Sequence, residues 1–261
     1  MAGKLNDVIS ASQEAGQVVM PYFSNVTPDT KQDGSWITKA DHKAHDFLCE
    51  QLVKIDNIPV LSEELNKHTQ QSIIKQSPQS FWCIDPIDGT SNFTLGIPYW
   101  CISIARIVDG LVDLAVVYDP NQNEVFAAEH DLPSEINGEV ITSGIIDKLS
   151  HATAIIDLKR SPKKLVADLC AKPPYRSQRS LGASALELCW VAADRCQLYL
   201  HGGQHLWDHA AAIKILNNAG GHACRFDGIE LSPTDLRTQS VIAASGSALY
   251  HEWQYYLARY K

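Results

Sequence analysis

The stretch of sequence that most constrains the fold and the chemistry of this chain is FWCIDPIDGTSNF, residues 81–93. Its first four residues, Phe81 to Ile84, predict a buried strand, because the apolar run is too short for a helix and turn-forming residues follow it. Two carboxylates, Asp85 and Asp88, come directly after this strand. Open α/β sheets bind ligands at the carboxyl ends of their strands. The sequence therefore predicts that the chemistry lies where this strand ends.

The predicted turn after the strand suits a metal ion together with a phosphate group. Asp85 and Asp88 would repel each other unless a cation lay between them, and carboxylate oxygens suit Mg²⁺. Pro86 fixes one backbone angle, and Gly89 allows backbone amides to approach a bound anion. The alternative is an ordinary strand followed by an acidic turn, because so short a motif often matches by chance.

The composition indicates a globular protein and argues against two kinds of partner. Of 261 residues, 45% are hydrophobic and 20% are charged, which predicts a large core in one compact unit or in two closely packed halves. The formal net charge is −8, from 22 basic and 30 acidic residues. A broad basic face for nucleic acid or a membrane surface is therefore not expected. An anionic substrate would need local cations, which bound metal ions supply.

The cysteines and the N-terminal residues predict a cytoplasmic protein. Seven cysteines are scattered without a CxxC pair, as expected of free thiols in a reducing compartment. Cys83, Cys101 and Cys189 lie in apolar runs and are interpreted as core residues. The N-terminus lacks a signal pattern, and no apolar stretch reaches membrane-spanning length.

The first half of the chain predicts two helices followed mainly by strands. The predicted elements are helices over residues 4–23 and from about 41 to 55, strands at 58–61, 81–84, 100–108, 111–118 and 124–128, and a small hairpin over 136–141. Asp41 is interpreted as the N-cap of the second helix, with a role in the site left open. Glu63 and Glu64 lie just after strand 58–61. The polar residues 66–80 are predicted to form a mobile excursion of the chain.

The second half alternates strands and helices, which favours an α/β arrangement. The predicted elements are strands at 152–157, 175–179, 197–200, 222–226 and 240–244, and helices at about 161–170, 183–195, 208–218 and 247–260. Gly202 and Gly203 are expected to turn the chain toward Asp208. A change in composition predicts a soft internal boundary near residues 142–150, between a metal-site half and an α/β half of one domain over residues 1–261.

Three motifs in a fixed order are more specific together than any one of them alone. They are Glu63-Glu64 after a strand, Asp85-Pro86-Ile87-Asp88-Gly89-Thr90 after another, and Trp207-Asp208-x-Ala210-Ala211 at a helix start. In these motifs the chain resembles the inositol monophosphatase family of metal-dependent, often lithium-sensitive phosphomonoesterases. The resemblance covers nearly the whole length, including residues 36–41 and 179–186. It implies a mixed α/β (α+β) fold, the layered αβαβα sandwich, and usually a homodimer.

The resemblance also implies which residues bind metal ions. Glu63, Asp85 and the carbonyl of Ile87 would hold one Mg²⁺, and Asp85, Asp88 and Asp208 would hold a second. The family is also proposed to bind a third ion beside Glu63, so two to three ions are expected. Such ions polarise the P–O bonds, lower the pKa of bound water and neutralise charge that develops on the phosphoryl oxygens.

The catalytic and substrate contacts follow from the same resemblance. Asp41 and Thr90, with Glu63, would orient the attacking water, and the amides of Gly89 and Thr90 would bind phosphate oxygens. The phosphate-binding and substrate-binding residues implied in full are Asp88, Gly89, Thr90, Gly182, Ala183, His201 and Asp208.

The identity of the substrate is left open by one departure from the family pattern. His201 lies seven residues before Asp208, where inositol phosphatases carry a glutamate that contacts substrate hydroxyls. The segment 127–141 also looks shorter than the usual glycine-rich hairpin. The expected reaction is Mg²⁺-dependent hydrolysis of inositol monophosphate or a related sugar or polyol phosphate. The alternatives are a 3′(2′),5′-bisphosphate nucleotide, fructose 1,6-bisphosphate or histidinol phosphate as substrate.

The sequence also allows two other interpretations. Some bacterial members of the family bind the transcription machinery, so the chain could act as an interaction partner whose phosphatase site is incidental. His201, His205 and His209 recur at every fourth position, as in a zinc site. Gly202 and Gly203 disfavour a continuous helix through all three, which argues against zinc.

Overall fold

Two large sheets with helices on both faces form the framework of the protein in a computed structural model that describes residues 2–31, 34–77 and 79–260. The helices are α1 (Ala2–Val19), α2 (Lys39–Ile55), α3 (Lys67–Gln76), α4 (Thr90–Leu95), α5 (Lys163–Ala171), α6 (Ser184–Ala192), α7 (Leu206–Asn218) and α8 (Ser247–Leu257). Short 3₁₀ turns span Met20–Tyr22, Leu149–His151 and Ala258–Tyr260. No helix within the described ranges is both long and apolar enough to cross a membrane.

The strands divide between the two large sheets and one small hairpin. They are β1 (Asp29–Thr30), β2 (Trp36–Ile37), β3 (Val60–Ser62), β4 (Phe81–Asp88), β5 (Cys101–Val108), β6 (Leu111–Asp119), β7 (Glu124–Glu129), β8 (Glu135–Ile136), β9 (Glu139–Val140), β10 (Thr153–Ile156), β11 (Ser177–Arg179), β12 (Leu198–Gln204), β13 (His222–Cys224) and β14 (Gln239–Ala244). Strands β1 and β2 form the hairpin. The larger sheet has the order β3-β4-β5-β6-β7-β8-β9, and the smaller has the order β11-β10-β12-β14-β13.

Three hydrophobic clusters show how these layers stack. Helices α1 and α2 pack on one face of the larger sheet, where Leu48, Trp82 and Ile104 belong to one hydrophobic cluster. Helices α6 and α7 fill the space between the two sheets, and α5 and α8 cover the far face of the smaller sheet through Leu165 and Trp253. The order of layers is therefore αβαβα, which confirms the predicted fold class.

Most elements of the larger sheet pair antiparallel, as the predicted meander requires. Strands β5, β6 and β7 pair in sequence, and β8 with β9 forms the predicted small hairpin. Among the described strands of this sheet, only β3 and β4 pair in parallel. Parallel pairing brings the carboxyl ends of β3 and β4 to the same edge, so the carboxylates that follow or end these strands lie together.

The strand that was predicted to stop at Ile84 continues to Asp88. Every residue of β4 is buried, as expected of a strand with helices on both faces. Its pairing with β5 shifts register between Asp85 and Asp88, which leaves Pro86 within a bulge where its missing N–H is tolerated. The bulge is the local irregularity that turns both carboxylates of this motif toward one cavity.

The prediction that Asp41 is an N-cap was wrong. The N-cap of α2 is Thr38, whose hydroxyl accepts a hydrogen bond from the Ala40 amide at 3.0 Å. Asp41 is the third residue of the helix, and its carboxylate accepts from the Thr38 amide at 2.7 Å. Thr38 and Asp41 thus form a capping box, in which the helix terminus itself orients the Asp41 carboxylate.

Two further sequence predictions were wrong in this part of the fold. Residues 67–76 form helix α3 rather than a mobile excursion, since Asn66 caps the helix and Gln70 donates to the backbone carbonyl of Ser62 at 3.0 Å. Gly202 and Gly203 lie inside β12 rather than in a turn. A side chain at Gly202 would place its Cβ 1.8 Å from the backbone oxygen of Arg160, so this glycine permits close contact between two chain segments.

Candidate active site

Three carboxylates from separate parts of the chain meet at the edge of the larger sheet. Glu63 follows β3, Asp85 lies in β4, and Asp208 lies in the first turn of α7. One oxygen from each lies within 4.8 Å of the others, and all three line a cavity of about 590 Å³. The Asp208 carboxylate is oriented by the amide of His205, which donates to it at 2.8 Å. The fold therefore presents a converging set of oxygen ligands.

The electrostatics of this cluster favour a bound cation. Burial, together with repulsion from Glu63 and Asp88, raises the pKa of Asp85 well above its ordinary range. Asp208 has its pKa raised for the same reasons. Carboxyl groups this crowded resist ionising together, and a divalent cation among them would reverse that balance. Converging carboxylate oxygens are also the donors that Mg²⁺ prefers, so these residues fit such an ion.

Asp88 lines the same cavity but lies against another helix. Its Oδ2 accepts a hydrogen bond from the amide of Ala185 at 2.6 Å, at the N-terminus of α6. The Sγ of Cys101 lies 3.6 Å from the same oxygen. Burial raises the pKa of Asp88 to about 7, even though the backbone amides of α6 lower it. Asp88 is thus not one of the three carboxylates that converge within 4.8 Å.

Asp41 and Thr90, the two residues predicted to orient the attacking water with Glu63, contact each other. The hydroxyl of Thr90 lies 3.1 Å from Oδ1 of Asp41 and also 3.1 Å from the backbone oxygen of Ile87. Burial raises the pKa of Asp41, and the nearby Glu63 adds to the effect. A hydroxyl between a carboxylate and a carbonyl can hold a proton in a defined direction. The roles assigned to Asp41 and Thr90 stay predictions.

The turn at Gly89 requires glycine for two reasons. Its φ angle is +94°, in the left-handed region that other residues rarely adopt. A Cβ at this position would also lie 3.1 Å from the Cβ of Ala183 and 3.2 Å from the backbone oxygen of Gly182. Gly182 lines the cavity, whereas Ala183 is fully buried against the turn. Ser184, the first residue of α6, lines the cavity in its place.

Two buried polar side chains fix the 181–183 segment beside this turn. The amide nitrogen of Asn92 donates to the backbone oxygens of Tyr99 and Leu181, both at 2.7 Å. Glu187 accepts from the amides of Leu181 and Gly182 at 2.8 and 2.9 Å. Neither contact was predicted from the sequence: Asn92 lies in the 81–93 stretch and Glu187 in a predicted helix, but both bond to segments distant from the spacing patterns that were recognised.

A lysine that the sequence analysis missed lies beside the carboxylate cluster. The Nζ of Lys31 is 2.7 Å from Glu63 and 3.0 Å from Glu64. Burial acts to lower the pKa of Lys31, but the two carboxylates raise it above its ordinary value. Burial and the neighbouring Glu63 raise the pKa of Glu64 to about 7. Lys31 thus supplies positive charge at the carboxylate that is predicted to hold a metal ion.

The cavity also has a basic wall. Lys159, Arg160 and His201 line it together. Nε2 of His201 lies 2.9 Å from Oδ2 of Asp157, and its Nδ1 accepts from the amide of Gly203 at 3.2 Å. A hydrogen bond from His201 lowers the pKa of Asp157 below its ordinary value. Both ring nitrogens of His201 therefore have protein partners, and its predicted role in substrate recognition stays a prediction.

Comparisons with known proteins agree with this geometry. The sequence model of the inositol monophosphatase family matches residues 5–259. Nus factor SuhB of Pasteurella multocida is 31% identical, with 86% of this chain and 85% of that protein covered. Inositol-1-monophosphatase of Mesorhizobium japonicum is 28% identical, with 86% of each chain covered.

A solved structure shows the same fold. The IMPase of Thermotoga maritima superposes with a TM-score of 0.84 at 25% identity, and the match covers 98% of this chain and 97% of that one. Because the family match spans almost every residue, it includes the strands and helix termini that carry the carboxylates. The chain belongs to the inositol monophosphatase family, and it is therefore a phosphomonoester hydrolase.

Proposed function

We propose that this protein hydrolyses a small phosphomonoester with Mg²⁺, the substrate being an inositol phosphate or a related sugar or polyol phosphate. The observation that carries the proposal is the convergence of Glu63, Asp85 and Asp208 within 4.8 Å at one wall of a 590 Å³ cavity. Glu63, Asp85 and Asp208, with Asp88 beside them, would hold the ions. When bound, such ions neutralise phosphoryl charge and increase the acidity of water.

The protein's own groups position the phosphate and the water. Gly89 and Thr90 line the cavity, and their backbone amides would donate to phosphate oxygens there. The hydroxyl of Thr90 lies within hydrogen-bond distance of Asp41 and can orient a water molecule toward phosphorus. As the water attacks, it can give a proton to the Thr90 hydroxyl while the hydroxyl passes its own proton to the Asp41 carboxylate. The capping box at Thr38 fixes the Asp41 carboxylate in the orientation this transfer needs.

The reaction is tested by chelation and by a charge-removing substitution. Wild-type activity on a phosphomonoester should vanish in EDTA and return when Mg²⁺ is added. The Asp85→Asn protein should stay inactive when Mg²⁺ is added. The matched control is Asp227→Asn, which removes an aspartate on the surface that pairs with Arg225 at 2.7 Å. Wild-type turnover by a folded Asp85→Asn protein would refute the site assignment.

The basic wall favours a substrate with a second anionic group. Lys159 and Arg160 line the same cavity as the carboxylates, and among the described residues Arg160 has donors left beyond its bond to Asp157 at 3.0 Å. We therefore expect Lys159 and Arg160 to contribute to kcat/KM for the alternative substrates fructose 1,6-bisphosphate and 3′-phosphoadenosine 5′-phosphate, and to contribute little to kcat/KM for inositol 1-phosphate. The assay compares these three and histidinol phosphate, in wild type and in Lys159→Gln/Arg160→Gln.

The double variant separates charge recognition from general damage. It should lose about tenfold or more on the two bisphosphates and much less on inositol 1-phosphate, because a lost charge-assisted hydrogen bond costs about 1.5–3 kcal/mol. An equal loss on every substrate would contradict this expectation. His201→Glu is predicted to improve hydrolysis of inositol 1-phosphate more than hydrolysis of glycerol 2-phosphate. This comparison tests whether the side chain at position 201 recognises substrate hydroxyls. Strong wild-type selectivity for inositol 1-phosphate that His201→Glu leaves unchanged would exclude that role.

A second candidate function is association with the transcription machinery. It is favoured by the relative named Nus factor SuhB, which is 31% identical to this chain. Asp85→Asn distinguishes the two functions, because removal of one carboxylate inside the cavity leaves the outer surface intact. Full biological complementation by the inactive variant would favour the partner role, and failure of a normally folded variant would favour catalysis.

Two coarser expectations accompany the proposal. A homodimer is implied by the family and is measured by light scattering coupled to size-exclusion chromatography. A reducing, cytoplasmic compartment is supported by the seven cysteines, all of which are free. Localisation of a tagged protein by cell fractionation tests it.

A further inference from the structure

One aspartate connects the histidine at position 201 to an arginine of the basic wall. His201 belongs to β12, and its side chain is only 11% exposed. Its Nε2 lies 2.9 Å from Oδ2 of Asp157. The Nη1 of Arg160 donates to the same oxygen at 3.0 Å. Asp157 therefore bonds to both side chains, and both His201 and Arg160 line the cavity that contains the carboxylates.

The hydrogen bonds of His201 fix which ring nitrogen carries the proton. A backbone N–H can only donate, so Nδ1, which accepts from the Gly203 amide at 3.2 Å, is the unprotonated nitrogen of the neutral ring. Nε2 then carries the proton and donates to Asp157. Neither nitrogen is left for a substrate hydroxyl while these two bonds are present. His201 is therefore not arranged to contact substrate as a glutamate at this position would.

Asp157 also fixes the loop that carries Arg160. Its Oδ1 accepts hydrogen bonds from the amides of Lys159 and Arg160, at 2.6 and 3.3 Å. The hydroxyl of Ser161 donates to the backbone oxygen of Asp157 at 2.8 Å. A Cβ on Gly202 would lie 2.8 Å from the Cβ of Arg160, so glycine at this position lets the loop pack directly on β12. Both the backbone and the guanidinium of Arg160 are thus held next to β12.

We propose that Asp157 and His201 are positioning residues, which hold the Arg160 guanidinium at the cavity so that it binds a second phosphate group of the substrate. This role rests on the proposed phosphatase function and adds how a bisphosphate is recognised. The Arg160 side chain is 52% exposed, and ordering such a side chain before the substrate arrives lowers the entropic cost of binding. The guanidinium donors that Asp157 does not use suit phosphate oxygens.

The test compares a bisphosphate with the two monophosphates that each lack one of its phosphates. The kcat and KM values are measured with Mg²⁺ for fructose 1,6-bisphosphate, fructose 1-phosphate and fructose 6-phosphate. The quantity compared is the bisphosphate ratio, which is kcat/KM for the bisphosphate divided by kcat/KM for the better monophosphate. Arg160→Gln should lower this ratio about tenfold, mainly through KM, because a charge-assisted contact to the second phosphate is lost.

Variants of the two positioning residues should lower the same ratio while Arg160 is still present. His201→Leu should lower it about threefold to tenfold, since the arginine is no longer held in place. His201→Gln should restore most of the ratio, because its amide can donate to Asp157 as Nε2 does. Asp157→Asn should act like His201→Leu, since an amide nitrogen cannot accept the bonds that Oδ2 accepts. Circular dichroism checks that each variant is folded.

A double-mutant cycle separates positioning from direct contact with substrate. If His201 acts through Arg160, His201→Leu should not lower the ratio further in the Arg160→Gln protein. Losses that add in full would show that His201 contacts substrate itself and would overturn the proposal. A wild-type ratio in folded Arg160→Gln or His201→Leu would overturn it as well. The surface variant Asp227→Asn is the matched control and should keep the wild-type ratio.

An NMR measurement tests the positioning role without turnover. Long-range ¹H–¹⁵N spectra of the metal-free protein report the tautomer of each histidine, and the His201 signals are those that disappear in His201→Gln. A single tautomer with the proton on Nε2 is expected, and a proton on Nδ1 would overturn the positioning role. Wild type that hydrolyses no phosphomonoester would refute the proposed function and substrate binding by Arg160 with it. Turnover with fully additive losses would refute only the positioning role.

Discussion

Replacement of Asp88 by asparagine should change stability and activity in opposite directions. Asp88 is 7% exposed, and its Oδ2 accepts from the Ala185 amide at 2.6 Å. Asparagine has nearly the same shape, and its side-chain oxygen can accept the same hydrogen bond. The substitution therefore removes the charge and little else. Without metal ions, that charge is unfavourable because the group is buried near other carboxylates.

The magnitude follows from the pKa of Asp88 in the folded protein. Burial raises it from 3.8 to about 7. Below pH 3.8 the carboxyl is protonated in both states, so ionisation costs nothing. As pH rises from 3.8 toward 7, the unfolded chain releases its proton and the folded protein retains it, so stability falls with pH. Above pH 7 the full difference applies, on the order of 4 kcal/mol.

The assay is thermal unfolding in EDTA at pH 5 and pH 8. Asp88→Asn should melt above wild type at pH 8 by roughly 10 °C, since about 2–4 °C corresponds to 1 kcal/mol in a domain of this size. At pH 5 the advantage should shrink to about 1.5 kcal/mol, because the folded protein is still protonated. Mg²⁺ should stabilise wild type more than the variant and should support turnover only in wild type.

Two outcomes would refute this reasoning about Asp88. One is equal or lower stability of Asp88→Asn at pH 8 in EDTA, which would mean that the buried charge has no net cost. The other is a stability difference that does not change between pH 5 and pH 8, because a pH-independent difference cannot arise from ionisation of this group. Asp227→Asn, on the surface, is the matched control and should behave like wild type.

Three further predictions concern other parts of the site. Lys31→Met should destabilise the metal-free protein by about 1–3 kcal/mol in denaturant unfolding, because Glu63 and Glu64 lose their cation. Mg²⁺ should then stabilise the variant by more than it stabilises wild type. Gly89→Ala should cost about 1–3 kcal/mol and lower kcat, because of its φ of +94° and the close Ala183. Asp157→Asn should destabilise the protein more at pH 7 than at pH 2, because the lowered pKa of Asp157 contributes stability that is complete above the ordinary carboxyl pKa and declines as pH falls toward the folded value. Melting curves of wild type and Asp157→Asn at the two pH values test the prediction about Asp157.

Features encoded by short local spacing were predictable from the sequence. The 85–90 motif identified both its carboxylates and its turn, because a bulge with proline and a left-handed glycine leaves a local signature. Its strand boundary was missed, since a strand that continues through a bulge looks like a strand that ends. The helix start at 38–41 was misassigned because Thr38 and Asp41 are both good capping residues, and only the hydrogen bonds distinguish N-cap from third position.

Contacts between distant segments could not be predicted in this way. Lys31 contacts Glu63 across 32 positions of sequence, and no spacing rule relates them. The basic wall depends on the approach of the Arg160 backbone to Gly202 inside β12. The glycine pair was interpreted as a turn because glycine signals both turns and close backbone contacts. Helix α3 has few apolar residues, so periodicity could not reveal it.

The arrangement of the carboxylates is itself an argument for function over stability. Asp85 and Asp208 come from a strand of one sheet and from a helix between the two sheets, and Asp88 joins them across a bulge. In each case burial raises the pKa, so ionisation near neutral pH opposes folding. Asparagine at any of these positions would keep the shape without that cost. A cationic ligand explains why the fold brings such groups together from separate elements. With the cation bound, ionisation of these carboxylates would stabilise the folded protein instead of destabilising it.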